Sequence, residues 1–219
     1  MVVSFSGIDG AGKTTQITLL EEYCKTHGIS CKKKWSKARG TPGIMFLKNL
    51  VRRDKKMQTD EKLEYREKVY QNGWKKKLLL TASLLDLCWY WGIYFRFLKM
   101  RRGIVILDRY IWDTYVEVST EFKVENLQKR FLWKVVKCLA MKPHKSLILT
   151  IPAEESLRRD MLKGEITTDS LEFKQNKIAI YQMLMEQKRW NVVLDATHTV
   201  EETFAQICQA IGLQEGKSV

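Results

Sequence analysis

An eight-residue motif near the start of the chain has the composition of a phosphate-binding loop. Residues 7–14 read Gly-Ile-Asp-Gly-Ala-Gly-Lys-Thr, with an apolar run before them and a helical pattern after them. Glycines let backbone N–H groups turn inward around phosphate oxygens, and the following helix adds the positive end of its dipole. In this pattern Lys13 reaches the β- and γ-phosphates and Thr14 supplies an oxygen to Mg²⁺. The motif predicts a nucleoside triphosphate site formed by Gly7, Gly10, Ala11, Gly12, Lys13, Thr14 and Thr15.

A second candidate site lies at the end of a later apolar run, where residues 104–107 are followed by Asp108 and Arg109. A carboxylate at the carboxyl end of a buried strand lies at the sheet edge where open α/β folds bind ligands. There Asp108 would complete the Mg²⁺ shell, and Arg109 would hold a phosphate through two parallel hydrogen bonds. The alternative is a strand-end aspartate with a structural arginine partner, which the phosphate motif disfavours.

Strand-like and helical segments alternate along the chain. Short apolar runs predict strands at residues 2–8, 29–35, 103–107, 146–151 and 191–195. Helical patterns cover residues 14–27, 122–140, 154–163, 170–189 and 200–211. Gly28 would end the first helix, and the lysines of the second run favour an edge strand or an exposed strand end. The alternation predicts one α/β domain over residues 1–219, a doubly wound five-stranded parallel sheet with helices on both faces.

The composition excludes several classes of protein. Hydrophobic residues make up 45% of the 219, enough for a core, which excludes disordered and fibrous chains. The five cysteines are scattered and lack a C-x-x-C pair, which excludes a disulfide framework and a cysteine-based zinc site, and the three histidines are equally dispersed. Met1 leads directly into a strand-like run, so we expect no signal peptide and a cytoplasmic location.

The order of these motifs resembles that of the thymidylate kinase family of nucleoside monophosphate kinases. Five segments are similar to the family's segments and follow the same order: residues 5–16, 107–110, 152–159, 171–181 and 190–202. The resemblance covers nearly the whole chain. It implies a P-loop NTPase fold with an acceptor-side helical region at about 40–102 and a small lid at about 158–170. It also implies ATP and Mg²⁺ as cofactors and a homodimer as the usual assembly.

The resemblance assigns roles to side chains on both sides of the phosphate loop. Asp9 would face the sugar or phosphate of the acceptor, and Arg109 would hold the acceptor phosphate. Arg159 would lie near the adenine of ATP, and Ala196 is assigned to the same ATP site.

The lid is expected to supply further positive charge. The family's loop often has an arginine where this chain has Gly10. Its absence indicates that lid cations, Arg158 and Lys163, act on the transferring phosphoryl group. The predicted catalytic residues are therefore Lys13, Arg109, Asp9, Arg158 and Lys163.

The acceptor side departs from the family's pattern. Residues 36–41 differ from the family's Arg-Glu-Pro-Gly-Gly-Thr stretch, Leu84 stands where an arginine for the base and phosphate belongs, and Asp113 stands where a serine is expected. Losing donors that pair with a base changes substrate choice. We predict acceptor contacts at Arg39, Lys48 and Asp113. Thymidine monophosphate is the first acceptor to test, and the alternative is a sugar or sugar phosphate of a surface-polysaccharide pathway.

Positive charge is concentrated in the first half of the chain. The formal net charge is +13, and its whole excess lies in residues 1–110. Residues 30–56 hold ten Lys or Arg against one acid. Three interpretations compete: a solvated basic face, a site for a small anionic acceptor, and a surface for nucleic acid or an anionic membrane.

Two rival functions belong to other classes. A nucleic-acid-binding NTPase would use the basic residues 30–56, but the sequence contains no recognisable nucleic-acid module and no separate aromatic stacking surface. A non-catalytic ATP-binding partner protein is the other rival. Intact Lys13, Thr14, Asp108 and Arg109 count against it.

Residues 78–95 form an apolar run between basic flanks. The run has roughly 18 residues, the short limit for a membrane span, and Asp86 lies inside it. A buried helix that walls the acceptor pocket is the favoured interpretation. A membrane span and an interfacial contact are the alternatives, the latter made through Trp89, Tyr90, Trp91 and Tyr94.

Overall fold

A computed structural model describes residues 1–35, 73–94, 103–162 and 170–213, and the elements below are those of this part of the chain. The strands are β1 Val2–Ser6, β2 Cys31–Trp35, β3 Ile104–Asp108, β4 Lys145–Thr150 and β5 Val192–Asp195. The α-helices are α1 Lys13–Thr26, α2 Gly73–Trp89, α3 Ile111–Glu121, α4 Phe131–Leu139, α5 Ala153–Leu162, α6 Leu171–Glu186 and α7 Val200–Ile211. A π-helical turn, Tyr90–Tyr94, follows α2, and a 3₁₀ turn, Leu127–Lys129, precedes α4.

The five strands form one sheet in the order β2-β3-β1-β4-β5, and every neighbouring pair is parallel. The predicted α/β fold of the P-loop NTPase type is confirmed. Because β1 lies between β3 and β4, the phosphate motif that follows it leaves the sheet at the middle of its carboxyl edge. The register pairs Phe5 with Asp108, so β1 and β3 end side by side. The fold thus brings the two motifs together.

The strands differ in burial as their places in the sheet require. All five residues of β1 and of β3 are buried, which matches their mostly apolar sequences. The two edge strands have partly exposed side chains, and the lysines of β2 lie on one of these edges. The predicted edge position of the second strand is therefore confirmed.

The predicted ends of the helices are correct at one place and wrong at another. Gly28 directly follows the residue that caps the end of α1 and has a φ of 67°, so it ends the helix as predicted. The helix predicted over 122–140 is confirmed over α4, Phe131–Leu139, and wrong before it, because α3 ends at Glu121 and α4 begins only at Phe131. Lys123 and Asn126 have positive φ values of 43° and 54°, which ends α3 without a glycine. The β-branched residues of α3 concealed the helix in the sequence.

The chain divides into two compact units. The first comprises Met1–Ser36, Leu98–Val116 and Lys142–Val219 and includes the whole sheet; the second comprises Lys37–Phe97 and Glu117–Met141. The single domain over 1–219 stays a prediction, and so do the acceptor-side region at 40–102 and the lid at 158–170. Much of both regions lies outside the described residues.

In the second unit α2 packs against α4. One face of α2 and of the turn after it is buried, with residues at helical spacing: Leu80, Leu84, Leu87 and Trp91. The neighbouring Leu85 and Trp89 are more than half exposed. Within the described ranges no helix is long and apolar enough to cross a membrane. The predicted interfacial contact and the cytoplasmic location stay predictions.

Candidate active site

Residues 7–12 lie between β1 and α1 and form the loop of the predicted phosphate-binding motif. Gly10 and Gly12 have φ values of 78° and 81°, the left-handed region that favours glycine. A Cβ at Gly10 would lie 2.9 Å from the Ser156 carbonyl oxygen and 3.2 Å from Asp160 Oδ1. At Gly12 no described atom lies within 4 Å of that position. The loop is therefore tightly packed against α5 at Gly10 and open at Gly12, beside the start of α1.

Lys13 is buried beneath this loop, with 6% of the residue exposed. Its Nζ donates to the carbonyl oxygens of Gly7 at 2.9 Å and Ile8 at 2.6 Å. Burial, together with the smaller effect of the Arg109 charge, lowers the pKa of Lys13 to about 7. Three carboxylates oppose this shift: Asp9, Asp113 and Asp108. The amino group of Lys13 is thus held by two carbonyl oxygens of the loop.

Arg109 reaches the loop from the end of β3. Its backbone has a φ of 68°, uncommon for a residue with a side chain, and its N–H donates to the Phe5 carbonyl at 2.9 Å. Its guanidinium donates through Nη2 to Asp9 Oδ1 and through Nη1 to the Gly7 carbonyl at 3.4 Å. Backbone strain of this kind is concentrated at functional sites. The structure thus brings together two predicted catalytic residues, Asp9 and Arg109.

Asp113 lies at the start of α3 and is 1% exposed. Its Oδ2 accepts from the Ser6 hydroxyl at 2.6 Å and the Tyr110 N–H at 3.1 Å. Its Oδ1 accepts from the Gly7 N–H at 3.1 Å and the Tyr181 hydroxyl at 2.8 Å. One carboxylate therefore joins the loop, the segment after Arg109 and α6. Sequence reasoning placed Tyr181 in a family-like helix but did not predict this link, and the acceptor role of Asp113 stays a prediction.

The predicted magnesium ligands are at the ends of two adjacent segments. Thr14 is exposed in the first turn of α1, and Asp108 ends β3 with its Oδ2 3.6 Å from Lys33 Nζ. In the described part of the chain no group of three or more His, Cys, Asp or Glu could hold a metal ion. Mg²⁺ commonly binds through one or two side chains together with substrate phosphates. Thr14 and Asp108 fit an ion held mainly by a nucleotide.

The arginines of α5 differ in their surroundings. Arg159 donates through Nη2 to the Ala196 carbonyl at 3.0 Å and through Nη1 to the Gly10 carbonyl at 3.5 Å. Arg158 is 62% exposed and forms a 2.7 Å ion pair with Glu155. Hydrogen bonds from both arginines lower the pKa of Glu155 to about 2. Arg159 and Ala196, both predicted to bind ATP, are therefore adjacent, while Arg158 remains accessible on α5.

A cavity of about 450 Å³ adjoins the loop at Gly7 and Ile8. The end of β4 and the segment after β5 line it, and α6 contributes Ile178, Tyr181, Gln182 and Met185. The candidate site thus extends from the loop towards α6. Three predicted residues lie outside the described residues and are not placed: Arg39, Lys48 and Lys163.

The sequence of the chain is similar to those of known proteins. A sequence model of the family described as thymidylate kinase matches residues 96–207. A thymidylate kinase of a Sulfurihydrogenibium species is 24% identical, over 91% of this chain and 91% of that protein. The thymidylate kinase of Kosmotoga olearia is 24% identical over 94% and 93% of the two chains. That of Bartonella henselae is 26% identical over 97% of each.

Proposed function

Because the chain belongs to the thymidylate kinase family, we propose that it uses ATP and Mg²⁺ to phosphorylate a nucleoside monophosphate. The protein is a kinase with a P-loop fold. Thymidine monophosphate is the first candidate acceptor, since the matching family and relatives are thymidylate kinases. The observation that supports this proposal most directly is the convergence of Lys13, Asp9 and Arg109 at the ends of β1 and β3.

The chemistry depends mainly on position and charge. Phosphoryl transfer needs an in-line arrangement and positive groups around the transferred oxygens. Lys13 would exchange its two loop carbonyls for phosphate oxygens of ATP, and Arg109, aimed by Asp9, would hold the acceptor phosphate. Mg²⁺, when bound by Thr14 and Asp108, would neutralise charge on the β- and γ-phosphates.

The α5 arginines would act on the ATP side. Arg159 already joins the loop at Gly10 to Ala196, which supports a role beside the adenine. Arg158, being exposed, could turn from Glu155 to the transferred group, and Lys163 is the second candidate for this role.

A second acceptor class is favoured by one observation. Leu84, at the position of the family's arginine for the acceptor base, is 1% exposed and belongs to the buried stripe of α2. An apolar residue there cannot pair with a base. A sugar or sugar phosphate is therefore the second candidate acceptor, with Arg39 and Lys48 as its proposed contacts.

The proposal is tested by measuring ADP release from ATP and Mg²⁺ with each common nucleoside monophosphate in turn. We expect stimulation by at least one of them, thymidine monophosphate first. Lys13→Ala should abolish turnover in a folded protein, and Arg109→Ala should reduce transfer far more than ATP binding. A slow basal rate with every nucleotide would overturn the nucleotide acceptor and direct the assay to sugars and sugar phosphates.

A further inference from the structure

Helix α6 is joined to the phosphate loop at two points on one of its faces. Lys174 and Tyr181 are seven residues apart, two turns of the helix, so their side chains leave the same face. Tyr181 reaches the start of the loop through Asp113, which accepts the Gly7 N–H. Lys174 reaches the middle of the loop through α5. The second link ends at Asp9, the partner of Arg109.

The link from Lys174 is buried as far as Ser156 and part-buried where it reaches Asp9. Lys174 Nζ donates to Ser156 Oγ at 2.7 Å and forms a 2.5 Å ion pair with Asp160 Oδ2. Ser156 Oγ in turn donates to the Asp9 carbonyl oxygen at 2.6 Å. The side chains of Lys174 and Asp160 are 3% and 1% exposed, and Ser156 is fully buried. Water therefore has little access to the bonds that Lys174 makes with Ser156 and Asp160.

The protons available on Lys174 and Ser156 determine which group donates in each hydrogen bond of the link. An ammonium group has donors and no acceptor, so the Ser156 oxygen must accept from Lys174. Its single hydroxyl proton is then free to point at the Asp9 carbonyl. Lys174 thus orients the hydroxyl that holds the Asp9 backbone. The Asp9 carboxylate, attached to that backbone, contacts Arg109.

Stability alone does not explain the ion pair. Burying two charges carries a desolvation penalty that often exceeds their attraction, and apolar pairs of similar volume are commonly as stable. In addition, Asp160 Oδ1 is buried without a hydrogen-bond partner among the described residues. That oxygen lies beside Gly10, 3.2 Å from where a Cβ would stand. The Lys174–Asp160 pair therefore lies beside the phosphate loop although its burial does not favour the folded state.

We propose that Lys174 is a positioning residue for phosphoryl transfer, which through Ser156 holds the Asp9 backbone and so directs the Asp9 carboxylate to Arg109. This inference rests on the proposed function for its effect on turnover. Its effect on the loop does not depend on that function. The two effects are therefore measured separately.

Two variants interrupt the link in different ways. Lys174→Met with Asp160→Leu removes both charges together and leaves no unpaired ion. Ser156→Ala keeps the ion pair, removes the hydroxyl and places a strong helix former in α5, so it keeps the test valid if the double variant does not fold. Val136→Ala, a buried substitution in α4, is the control for a general loss of stability.

Hydrogen–deuterium exchange of the nucleotide-free protein is the first measurement. We expect the amides of residues 7–13 to exchange about tenfold faster in both link variants, while β1 and β3 keep their protection. Val136→Ala should leave the loop unchanged at a comparable loss of melting temperature. Unchanged exchange of residues 7–13 in Ser156→Ala would overturn the proposal, whatever the protein phosphorylates.

Turnover with the acceptor that the ADP-release assay identifies is the second measurement. The link variants should lower kcat about tenfold or more, with the KM for ATP within about threefold of the wild type. In an Asp9→Asn background the same substitutions should have little further effect, because the link acts through Asp9. Additive losses would show a role separate from Asp9 and overturn the proposal. If the wild type phosphorylates no nucleotide but loop exchange responds, the proposed function fails and the positioning role stands.

Discussion

Lys13 and Arg109 share one acceptor, the Gly7 carbonyl oxygen, which lies 2.9 Å from Lys13 Nζ and 3.4 Å from Arg109 Nη1. Two positive groups therefore converge at the start of the loop. Their repulsion adds to burial in lowering the pKa of Lys13 to about 7. An arriving polyphosphate would reverse this balance, because its negative charge stabilises the ammonium form. The site is thus electrostatically prepared for an anion.

Binding of ATP and Mg²⁺ should take up protons at pH 8. A pKa of about 7 leaves Lys13 of the nucleotide-free protein largely neutral at pH 8, and the phosphates should raise this pKa on binding, so we expect uptake approaching about one proton per site. Titration calorimetry in two buffers of different ionisation enthalpy measures this number. Uptake should fall at pH 6, where Lys13 is already charged, and be absent in Lys13→Met. Equal uptake at both pH values would contradict the prediction.

The same pKa affects the stability of the nucleotide-free protein. Lys13 holds its proton up to about pH 10.5 when unfolded and up to about pH 7 when folded. Between these values the unfolded state binds more protons, so the contribution of Lys13 to the free energy of unfolding rises with pH. The penalty for burying the charge is fully present below pH 7. Denaturation of wild type and Lys13→Met from pH 7 to pH 10 should show any advantage of the variant shrinking, and a constant difference would refute this.

Asp113→Asn should lower the free energy of unfolding by about 2 kcal/mol, because the new amide donor would face groups that are themselves donors. Tyr181→Phe removes one of those donors and should lower it by about 1 kcal/mol. Urea denaturation measures both. If Asp113→Asn were as stable as the wild type and altered the KM for the acceptor instead, the predicted acceptor contact would be favoured.

Gly10→Ala should destabilise the protein more than Gly12→Ala. Both substitutions place a Cβ on a left-handed backbone, at roughly 1–2 kcal/mol each. Gly10→Ala adds a contact of 2.9 Å with the Ser156 carbonyl, for which we expect about 1 kcal/mol more. Thermal and urea unfolding of the two variants measure the difference. Equal losses would show that the loop is not packed against α5 at Gly10.

Leu84→Arg should destabilise the second unit by roughly 3 kcal/mol or more, since it places a charge in the buried stripe of α2. Leu85→Arg is the matched control, because Leu85 is 53% exposed and Leu84 is 1% exposed. Its effect should stay within about 0.5 kcal/mol. We therefore expect Leu84→Arg to give no gain with thymidine monophosphate. A stable Leu84→Arg variant with improved use of that nucleotide would show that the position faces the acceptor.

The phosphate loop and the sheet could be predicted because their signals are local. A strand, glycines at fixed spacing, a lysine and a helix are read from consecutive residues, and apolar runs mark buried strands. The edge position of β2 followed from its lysines in the same way. Helix α3 was missed because its β-branched residues resemble a strand and the turn at Lys123 contains no glycine.

By itself, the sequence determined the family and the fold, and it predicted the residues that would face phosphate, since these depend on motifs whose groups are neighbours in the chain. The tertiary structure decided how those groups are held. Asp9 meets Arg109, and Lys174 reaches Asp9 through Ser156, across separations that no local pattern encodes. Such links depend on which helix faces pack against the loop, and burial then makes each of their hydrogen bonds obligatory. The sequence motifs therefore indicated the chemistry of the site, and the tertiary structure was needed to show how its side chains are positioned.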